Sequence, residues 1–438
     1  MSLRDLRGSV AHPLRGSAAI LLALWLLLAT AQGVRIAATG SLMSGDAVYH
    51  FAHLHSLVID RDLDPVNEVR YFRDDARSPY TGGPKISDRT TRHLLTGEVV
   101  NKYPLGLALL TLPAYVTVYW VALALASVGL AADVSGYGWT YQYACGLMVA
   151  GWAVAGLWVC QRIAGGQARV TASDAWWSTL LMAGATPWAF YTTLEPLFAH
   201  ALSATAAAVL VWQWLRARLT TAPGPWVLTG VAAGVCGLIR YQDAALIALP
   251  LLDLALTRRT AASRAWLCGA VLCGAALGAA PQLAANAVRF GDPLTTGYFG
   301  ESFIWWRSPH LVEALFSPEV GLLRWSPIVV AALAGLLAAA RRGWPVARFG
   351  LAMIGLQIYL VASWYFVSQG HTFGNRMLVN CTVFFVVGLA ALMATAAARP
   401  PLRRAIQVVG ILLVGVNLWL MWLWTRGGIG PLADVLRG

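Results

Sequence analysis

Apolar runs of about 17–25 residues recur along the whole chain and constrain its fold more than any other feature. Each run is long enough for an α-helix to cross a hydrocarbon core about 30 Å thick. Charged residues make up only 12% of the 438 residues, about half the share that a soluble domain carries. The alternation that marks a transmembrane β-strand is absent. The sequence therefore predicts an all-α polytopic membrane protein and excludes a soluble or disordered chain.

The runs predict a single domain, 1–438, with eleven to thirteen transmembrane helices and no separate soluble domain. They lie near 17–39, 105–131, 138–160, 172–191, 197–215, 226–241, 244–257, 265–286, 320–340, 349–367, 376–397 and 405–424. Arginines before the first run and in the later short loops predict a cytoplasmic N-terminus. Two crossings between 104 and 160 would leave Arg162 and Arg169 outside. Either one of these two runs does not cross, or the run around Pro113 makes two short passes.

Two polar segments, 40–103 and 289–319, interrupt the apolar pattern and are predicted to be the first and second extracytoplasmic loops. The first loop holds nine of the 20 acidic residues, and such charges are costly in hydrocarbon. Within it, residues 46–59 predict a short interfacial helix. The net charge of +12 comes mainly from arginines in short loops. No basic stripe with interleaved aromatic residues stands free of the membrane, so no nucleic-acid partner is expected.

Ionisable residues at the outer ends of the runs are candidates for function, because each is costly to hold near hydrocarbon. Asp46 can act as a general base on an acceptor hydroxyl or cap the helix that follows it. Lys102 can pair with a lipid phosphate or extend to the interface. Arg376 opens a run on the outer side, against the usual distribution of positive charge, which favours an anionic partner.

Other candidates at the same ends each have a structural alternative. Arg240 and Asp243 can pair within the bundle, Glu195 and His200 can make polar contacts between helices, and Tyr103 fits an aromatic belt. The further candidates are Tyr49, His50, His53, Tyr103, Glu195, His200, Arg240, Gln242, Asp243, His371 and Asn375. The acidic run 60–64 is interpreted as a solvated turn, and no metal site is predicted there.

These groups suit the transfer of a group from a membrane-embedded phosphate ester. A phosphate leaving group needs fixed positive charge where its negative charge develops, and the acceptor hydroxyl needs a base. The sequence contains no P-loop and no Rossmann glycine pattern. A nucleotide-sugar donor is therefore not expected.

Short motifs follow one another in order between residues 44 and 376. They are Gly45-Asp46, Ser56-Leu57 with Asp60, Asp62-Leu63-Asp64 and Asn67-Glu68, Lys102-Tyr103-Pro104-Leu105-Gly106, Glu195-Pro196-Leu197-Phe198-Ala199-His200, Gly237-Leu238-Ile239-Arg240-Tyr241-Gln242, Leu315-Phe316-Ser317 with Gly321-Leu322, and Phe373-Gly374-Asn375-Arg376. In these motifs the chain resembles the GT-C glycosyltransferases. The resemblance is closest to bacterial relatives of the protein O-mannosyltransferases and the lipid A aminoarabinose transferase.

The resemblance implies a GT-C-like helix bundle that transfers a sugar from a polyprenyl-phosphate donor with inversion at the sugar carbon. Asp46 would be the base, and Lys102, Arg376 and Arg240 would hold the donor phosphate. Many relatives have a second acid directly after the first, where this chain has Ala47. This departure weakens a divalent-metal requirement, and no cofactor is expected beyond the lipid-linked sugar.

The expected location is the bacterial inner membrane, with the site on the extracytoplasmic face. The expected partners are a polyprenyl-phosphate sugar, membrane lipids and an acceptor that is a lipid, a glycan or a protein. Two other functions stay open. A lipid or solute transporter would place substrate groups near the bilayer midplane, and a non-catalytic envelope scaffold would need no base at residue 46.

Overall fold

The computed structural model of the protein describes residues 14–74, 100–257, 259–298, 301–369 and 372–427. Within these ranges the chain forms helices and turns and no strand. A helix satisfies its backbone N–H and C=O groups internally, which a lipid environment requires. The helices are α1 (Leu14–Thr39), α2 (Asp46–His55), α3 (Val66–Asp74), α4 (Gly106–Ser127), α5 (Trp139–Gly165), α6 (Ala172–Gly184), α7 (Phe190–Thr193), α8 (His200–Ala217), α9 (Pro223–Ile239), α10 (Ala248–Leu256), α11 (Ala261–Phe290), α12 (Leu311–Phe316), α13 (Leu322–Trp325), α14 (Ile328–Arg341), α15 (Pro345–Ser363), α16 (Thr382–Thr395) and α17 (Pro400–Gly427).

Seven of the described helical segments are long and apolar enough to cross a membrane. They are Ser17–Thr39, Gly106–Ser127, Trp139–Gly165, Ala261–Phe290, Pro345–Ser363, Arg376–Ala398 and Pro400–Gly427. Two shorter apolar helices, α9 and α14, accompany them. The prediction of an all-α polytopic membrane protein is confirmed. The count of eleven to thirteen crossings stays a prediction, because it needs shorter helices to cross as well.

Helices are interrupted within several of the later predicted runs, including 320–340, where α13 ends at Trp325 and α14 begins at Ile328. The break predicted between 226–241 and 244–257 is confirmed: α9 ends at Ile239, Arg240 is extended, and a 3-10 turn, Tyr241–Ile247, precedes α10. The predicted run 172–191 is not one helix, since α6 ends at Gly184 and α7 begins only at Phe190. Pro187 lies between them and cannot continue a helix, because it lacks the backbone N–H.

The run around Pro113 forms one continuous helix, α4, so the alternative of two short passes is wrong. The Trp152 indole, halfway along α5, donates to the Leu110 carbonyl at 3.2 Å, whereas the Tyr115 hydroxyl donates to the Gly136 carbonyl, just before α5, at 3.0 Å.

The beginning of α5 lies beside the end of α1. The Ser41 hydroxyl donates to the Gln142 side-chain oxygen at 2.9 Å. Residues 100–105 contact α2, which follows α1. The chain therefore enters α4 and α5 from the same end of the bundle. With two short passes excluded, the alternative in which one of these two runs does not cross stays a prediction.

Glycines allow the helix that carries Arg240 to pack closely on its neighbours. A Cβ atom on Gly230 or Gly234 of α9 would lie 2.1 or 2.2 Å from backbone oxygens of α11. A Cβ atom on Gly106 would lie 2.5 Å from the Leu238 carbonyl oxygen. Small residues at such crossings bring backbones together in membrane proteins. They hold the end of α9 against the beginning of α4, beside the candidate site.

Candidate functional site

Asp46 is the first residue of α2, and its carboxylate lies in a cluster of polar side chains. Gly45 precedes it with φ of 44°, a conformation that glycine adopts without a Cβ clash. One carboxylate oxygen, Oδ2, lies 2.8 Å from Nη1 of Arg376, and the other, Oδ1, accepts the Tyr103 hydroxyl at 2.7 Å. The helix has no side-chain cap. The alternative role of Asp46 as a helix cap is therefore wrong.

The environment of Asp46 keeps its carboxyl group ionised. Burial raises its pKa, but the Arg376 guanidinium, the Tyr103 hydrogen bond and more distant positive groups outweigh that effect and lower the pKa below its usual value. Burial, followed by the negative charge of Asp46, raises the pKa of Tyr103 well above 10. At neutral pH the pair is therefore a carboxylate and a neutral phenol, which donates to it.

Tyr103 connects the carboxylate to the aromatic side chains of α2. Its ring centre lies 5.1 Å from the ring centres of both Tyr49 and His50. Its carbonyl oxygen lies 2.9 Å from Nε2 of His53. Burial lowers the pKa of His50 to about 4 and that of His53 to about 3. Both histidines are neutral at neutral pH and are not cations for a phosphate.

Arg376 contacts Asp46 from the other side of the cluster. It begins a 3-10 turn, Arg376–Cys381, directly before α16. Its Nη2 donates to the Gln369 carbonyl at 3.2 Å, and its guanidinium lies 5.4 Å from the centre of the Phe198 ring. The buried Nε atom has no hydrogen-bond partner in the part of the chain that the structure describes. One donor of the guanidinium is thus unsatisfied within these ranges.

Lys102 pairs with Glu301 from the second polar segment. The Nζ–Oε1 distance is 2.6 Å, and both side chains are 16% exposed. The ammonium group also lies 5.6 Å from the Tyr103 ring centre and 5.3 Å from that of Tyr298. Sequence reasoning missed Glu301, because no motif distinguishes it from the other acids of 289–319.

Arg240 lies near the cluster but binds different partners. Its Nη1 donates to the Met377 carbonyl at 3.4 Å, next to Arg376, and its Nη2 donates to Gln242 at 3.0 Å. Its Nη1 also lies 3.8 Å from Oδ1 of Asp243. The structural alternative for Arg240, an ion pair within the bundle, is therefore present in the structure.

Gln242 and Asp243 bind polar groups in the interior of the bundle. Gln242 donates to Gln357 at 2.6 Å, and Asn380 donates to Asp243 at 2.8 Å. Ser203 also donates to Asp243. The carboxylate of Asp243, which is fully buried, thus has three partners with Arg240 included. These contacts assign Gln242 and Asp243 a structural role that holds the 3-10 turn after α9.

Glu195 and His200 approach the cluster from the α7–α8 connection. Ser44, two residues before Asp46, donates to Glu195 Oε1 at 2.6 Å. Burial raises the pKa of Glu195 above its usual value. The His200 ring packs 4.7 Å from the Tyr191 ring, centre to centre. The sequence does not predict this role of Ser44, because nothing local shows a bond to a residue so far along the chain.

Asn375 supports the segment that carries Arg376. It accepts a hydrogen bond from Gln369 at 3.1 Å and donates to the Ala314 carbonyl at 3.1 Å. It therefore positions Arg376 and does not face Asp46 directly. The candidate His371 lies outside the described residues.

The cluster pairs cations with carboxylates that an anionic ligand can replace. Arg376 and Lys102 bind Asp46 and Glu301 respectively, and each cation also faces an aromatic ring. Among the described residues, Asp46 belongs to no group of three His, Cys, Asp or Glu side chains spaced to hold a metal ion. The arrangement can bind a phosphate and present an ionised carboxylate beside it.

Comparisons with known proteins find no matching family model and no matching curated sequence. The resemblance to the GT-C glycosyltransferases stays a prediction that rests on the motifs quoted above.

Proposed function

We propose that the protein is an integral-membrane glycosyltransferase that moves a sugar from a polyprenyl-phosphate donor to an acceptor hydroxyl. The observation that carries this proposal is the Arg376–Asp46–Tyr103 cluster, which places an ionised carboxylate 2.8 Å from an arginine whose Nε atom has no partner in the described ranges. A second cation, Lys102, lies against the same tyrosine.

Donor binding would exchange the partners of both cations. Arg376 and Lys102 turn from their carboxylates to the donor phosphate, which offers charge-assisted hydrogen bonds of similar strength. Loss of the Arg376 contact then raises the pKa of Asp46 from its lowered value, because the guanidinium is the main group that depresses it. The carboxylate becomes a better base when the donor is in place.

The transfer step balances without a cofactor. The acceptor oxygen forms a bond to the anomeric carbon, and the bond between that carbon and the phosphate oxygen breaks on the opposite face. The acceptor proton passes to Asp46, and the polyprenyl phosphate leaves with its new charge held by Arg376 and Lys102. Tyr103 and Tyr298 offer aromatic faces beside Lys102 for the sugar ring.

The proposal includes the finer topology inferred from the sequence. A GT-C-like bundle with eleven to thirteen crossings would lie in the bacterial inner membrane with the N-terminus cytoplasmic and the site extracytoplasmic. Arg240, held by the Met377 carbonyl next to Arg376, would add long-range positive charge to the phosphate site. The acceptor would be a lipid, a glycan or a protein.

Binding of polyprenyl phosphate to the purified full chain in nanodiscs tests the phosphate site. Each charge-assisted hydrogen bond contributes about 1.5–3 kcal/mol, so Arg376→Gln and Lys102→Gln should each weaken binding at least about tenfold. The exposed Arg324, on α13, provides a matched control, and Arg324→Gln should bind like the wild type. No binding by the wild type, or equal binding by all variants, would contradict the assignment. A carrier would also bind, and sugar transfer separates the two.

A further inference from the structure

A second cluster of polar side chains lies at the far end of α2, away from Asp46. His55 Nδ1 lies 2.9 Å from Oδ2 of Asp60 and 3.1 Å from Oε1 of Glu68. One potential ligand atom from each of the three side chains lies within 4.8 Å of the other two. His55 ends the helix that Asp46 begins, about 13 Å further along at 1.5 Å per residue.

A local change in helix type brings the three residues together. After His55 the chain forms a π turn, Ser56–Asp60, which ends at Arg61 in the left-handed conformation with φ of 61°. The wider turn returns Asp60 to the side of His55, which five α-helical residues would not do. Glu68 comes from the first turn of α3. Asp60 is exposed, in agreement with the solvated turn predicted for 60–64, but its carboxylate also contacts His55.

One carboxyl group of the cluster, that of Glu68, is buried and only partly paired within the described ranges. Two carboxyl groups face one imidazole, and in the described ranges neither carboxylate pairs with a lysine or an arginine. Glu68 is fully buried, and its Oε1 accepts the Ser56 hydroxyl at 2.6 Å. Its other oxygen, Oε2, is buried without a hydrogen-bond partner in the described part of the chain. An ionised carboxylate in that state is costly without a cation.

We propose that His55, Asp60 and Glu68 form a binding site for one divalent transition-metal ion, with Zn²⁺ as the best fit. One imidazole nitrogen and two carboxylate oxygens are ligands that Zn²⁺ accepts. Ligand atoms around a tetrahedral Zn²⁺ with bonds of 2.0–2.1 Å lie about 3.3 Å apart. The two observed separations from His55 Nδ1, 2.9 and 3.1 Å, therefore need to widen by only a few tenths of an ångström, and the ligand atoms of Asp60 and Glu68 lie within 4.8 Å of each other.

The neighbouring side chains fix the orientation of the proposed ligands. The His55 ring stacks on Tyr137 at 4.1 Å between ring centres, and Tyr137 stacks on Tyr71 at 3.8 Å. The Asn67 side-chain amide donates to Asp60 Oδ2 at 2.7 Å. Contacts of this kind fix the orientation of the side chains that bind a metal ion directly. Bound here, the ion joins α2 to α3 and stabilises the outer segment from which Asp46 projects.

Metal titration of the wild-type chain is the first test, because it needs no variant to fold. Full-length protein, purified without a histidine tag and stripped with a chelator, is titrated with Zn²⁺ against a competing indicator. Co²⁺ then reports imidazole and carboxylate ligation through its visible absorption. We expect one ion per chain. A wild-type chain that takes up no ion overturns the proposal and leaves the cluster as a histidine ion pair.

Variants locate the ion. Glu68→Gln and His55→Ala should each weaken Zn²⁺ binding by on the order of 100-fold, since loss of a mere supporting group already costs 10–100-fold. His310, 3.4 Å from Glu313 in an exposed pair, provides the matched control, and His310→Ala should bind like the wild type. Wild-type affinity in both cluster variants would place the ion elsewhere and overturn the assignment.

Discussion

The ion pair between Asp46 and Arg376 should contribute a large, measurable coupling to the free energy of unfolding. Two unit charges separated by 2.8 Å attract by about 6 kcal/mol at an effective dielectric constant of about 20. The Asp46 side chain is 25% exposed and that of Arg376 10% exposed, so solvent screens part of this attraction. We expect a coupling of about 3 kcal/mol, which lies within the range for pairs that are largely buried.

A double-mutant cycle measures this coupling. Asp46→Asn, Arg376→Gln and the double variant are unfolded with SDS in mixed micelles and followed by tryptophan fluorescence. Each single variant leaves one buried charge unpaired, so the double variant should be much less destabilised than the sum of the two. Arg403, whose partner is Asp174, provides the control. Asp46→Asn and Arg403→Gln should be additive within about 0.5 kcal/mol.

The same pair predicts how stability depends on pH. The folded-state pKa of Asp46 is lowered from 3.8, so its stabilisation is complete above that unfolded value and lost as pH falls through the folded value. A coupling below about 0.5 kcal/mol at neutral pH would refute the electrostatic account. So would a coupling that does not diminish as the pH falls below the unfolded value.

Three further substitutions test neighbouring contacts. Glu301→Gln removes the carboxylate that pairs with Lys102 and should strengthen polyprenyl-phosphate binding about tenfold. Unchanged binding would show that the Lys102–Glu301 pair does not compete with a phosphate. Tyr103→Phe removes a hydrogen bond that lowers the pKa of the Asp46 carboxyl group, so that pKa should rise and the acid limb of the sugar-transfer rate should move to higher pH. A shift of this limb to lower pH would contradict the reasoning. Gly106→Ala places a Cβ atom 2.5 Å from a backbone oxygen and should lower the free energy of unfolding by about 1–3 kcal/mol. The control Gly415→Ala, whose Cβ atom would have nothing within 4 Å, should be neutral. Equal effects of the two substitutions would contradict the packing of α4 on α9.

Hydropathy predicted the fold class well, because run length and low charge are set by the bilayer itself. The break at Arg240 was also predictable, since a charged tetrapeptide interrupts an apolar stretch. The continuity of α4 through Pro113 was not, because a proline inside an apolar run can either kink the helix or end it. The interruption of 172–191 needed the effect of Pro187, which a hydropathy average does not register.

The sequence predicted which residues belong to the candidate site, but not which of them contact one another. Asp46 and Arg376 were identified because charges at span ends are costly, but nothing in the sequence showed that they would pair. The pairing of Lys102 with Glu301 depends on how two separate segments pack. The grouping of His55 with Glu68 depends on a π turn, whose i→i+5 register has no signature in hydrophobic periodicity.

Sugar transfer in isolated membranes tests the central claim most directly. Membranes that contain the wild type, Asp46→Asn or the control Asp292→Asn, an exposed acid of the second polar segment, are incubated with radiolabelled polyprenyl-phosphate sugars. We predict that label moves to an envelope acceptor with the wild type and with Asp292→Asn, but not with Asp46→Asn. All three proteins should be folded and should bind the donor. Undiminished transfer by Asp46→Asn, or donor binding without transfer by the wild type, would contradict the assignment of Asp46 as the base of a glycosyltransferase.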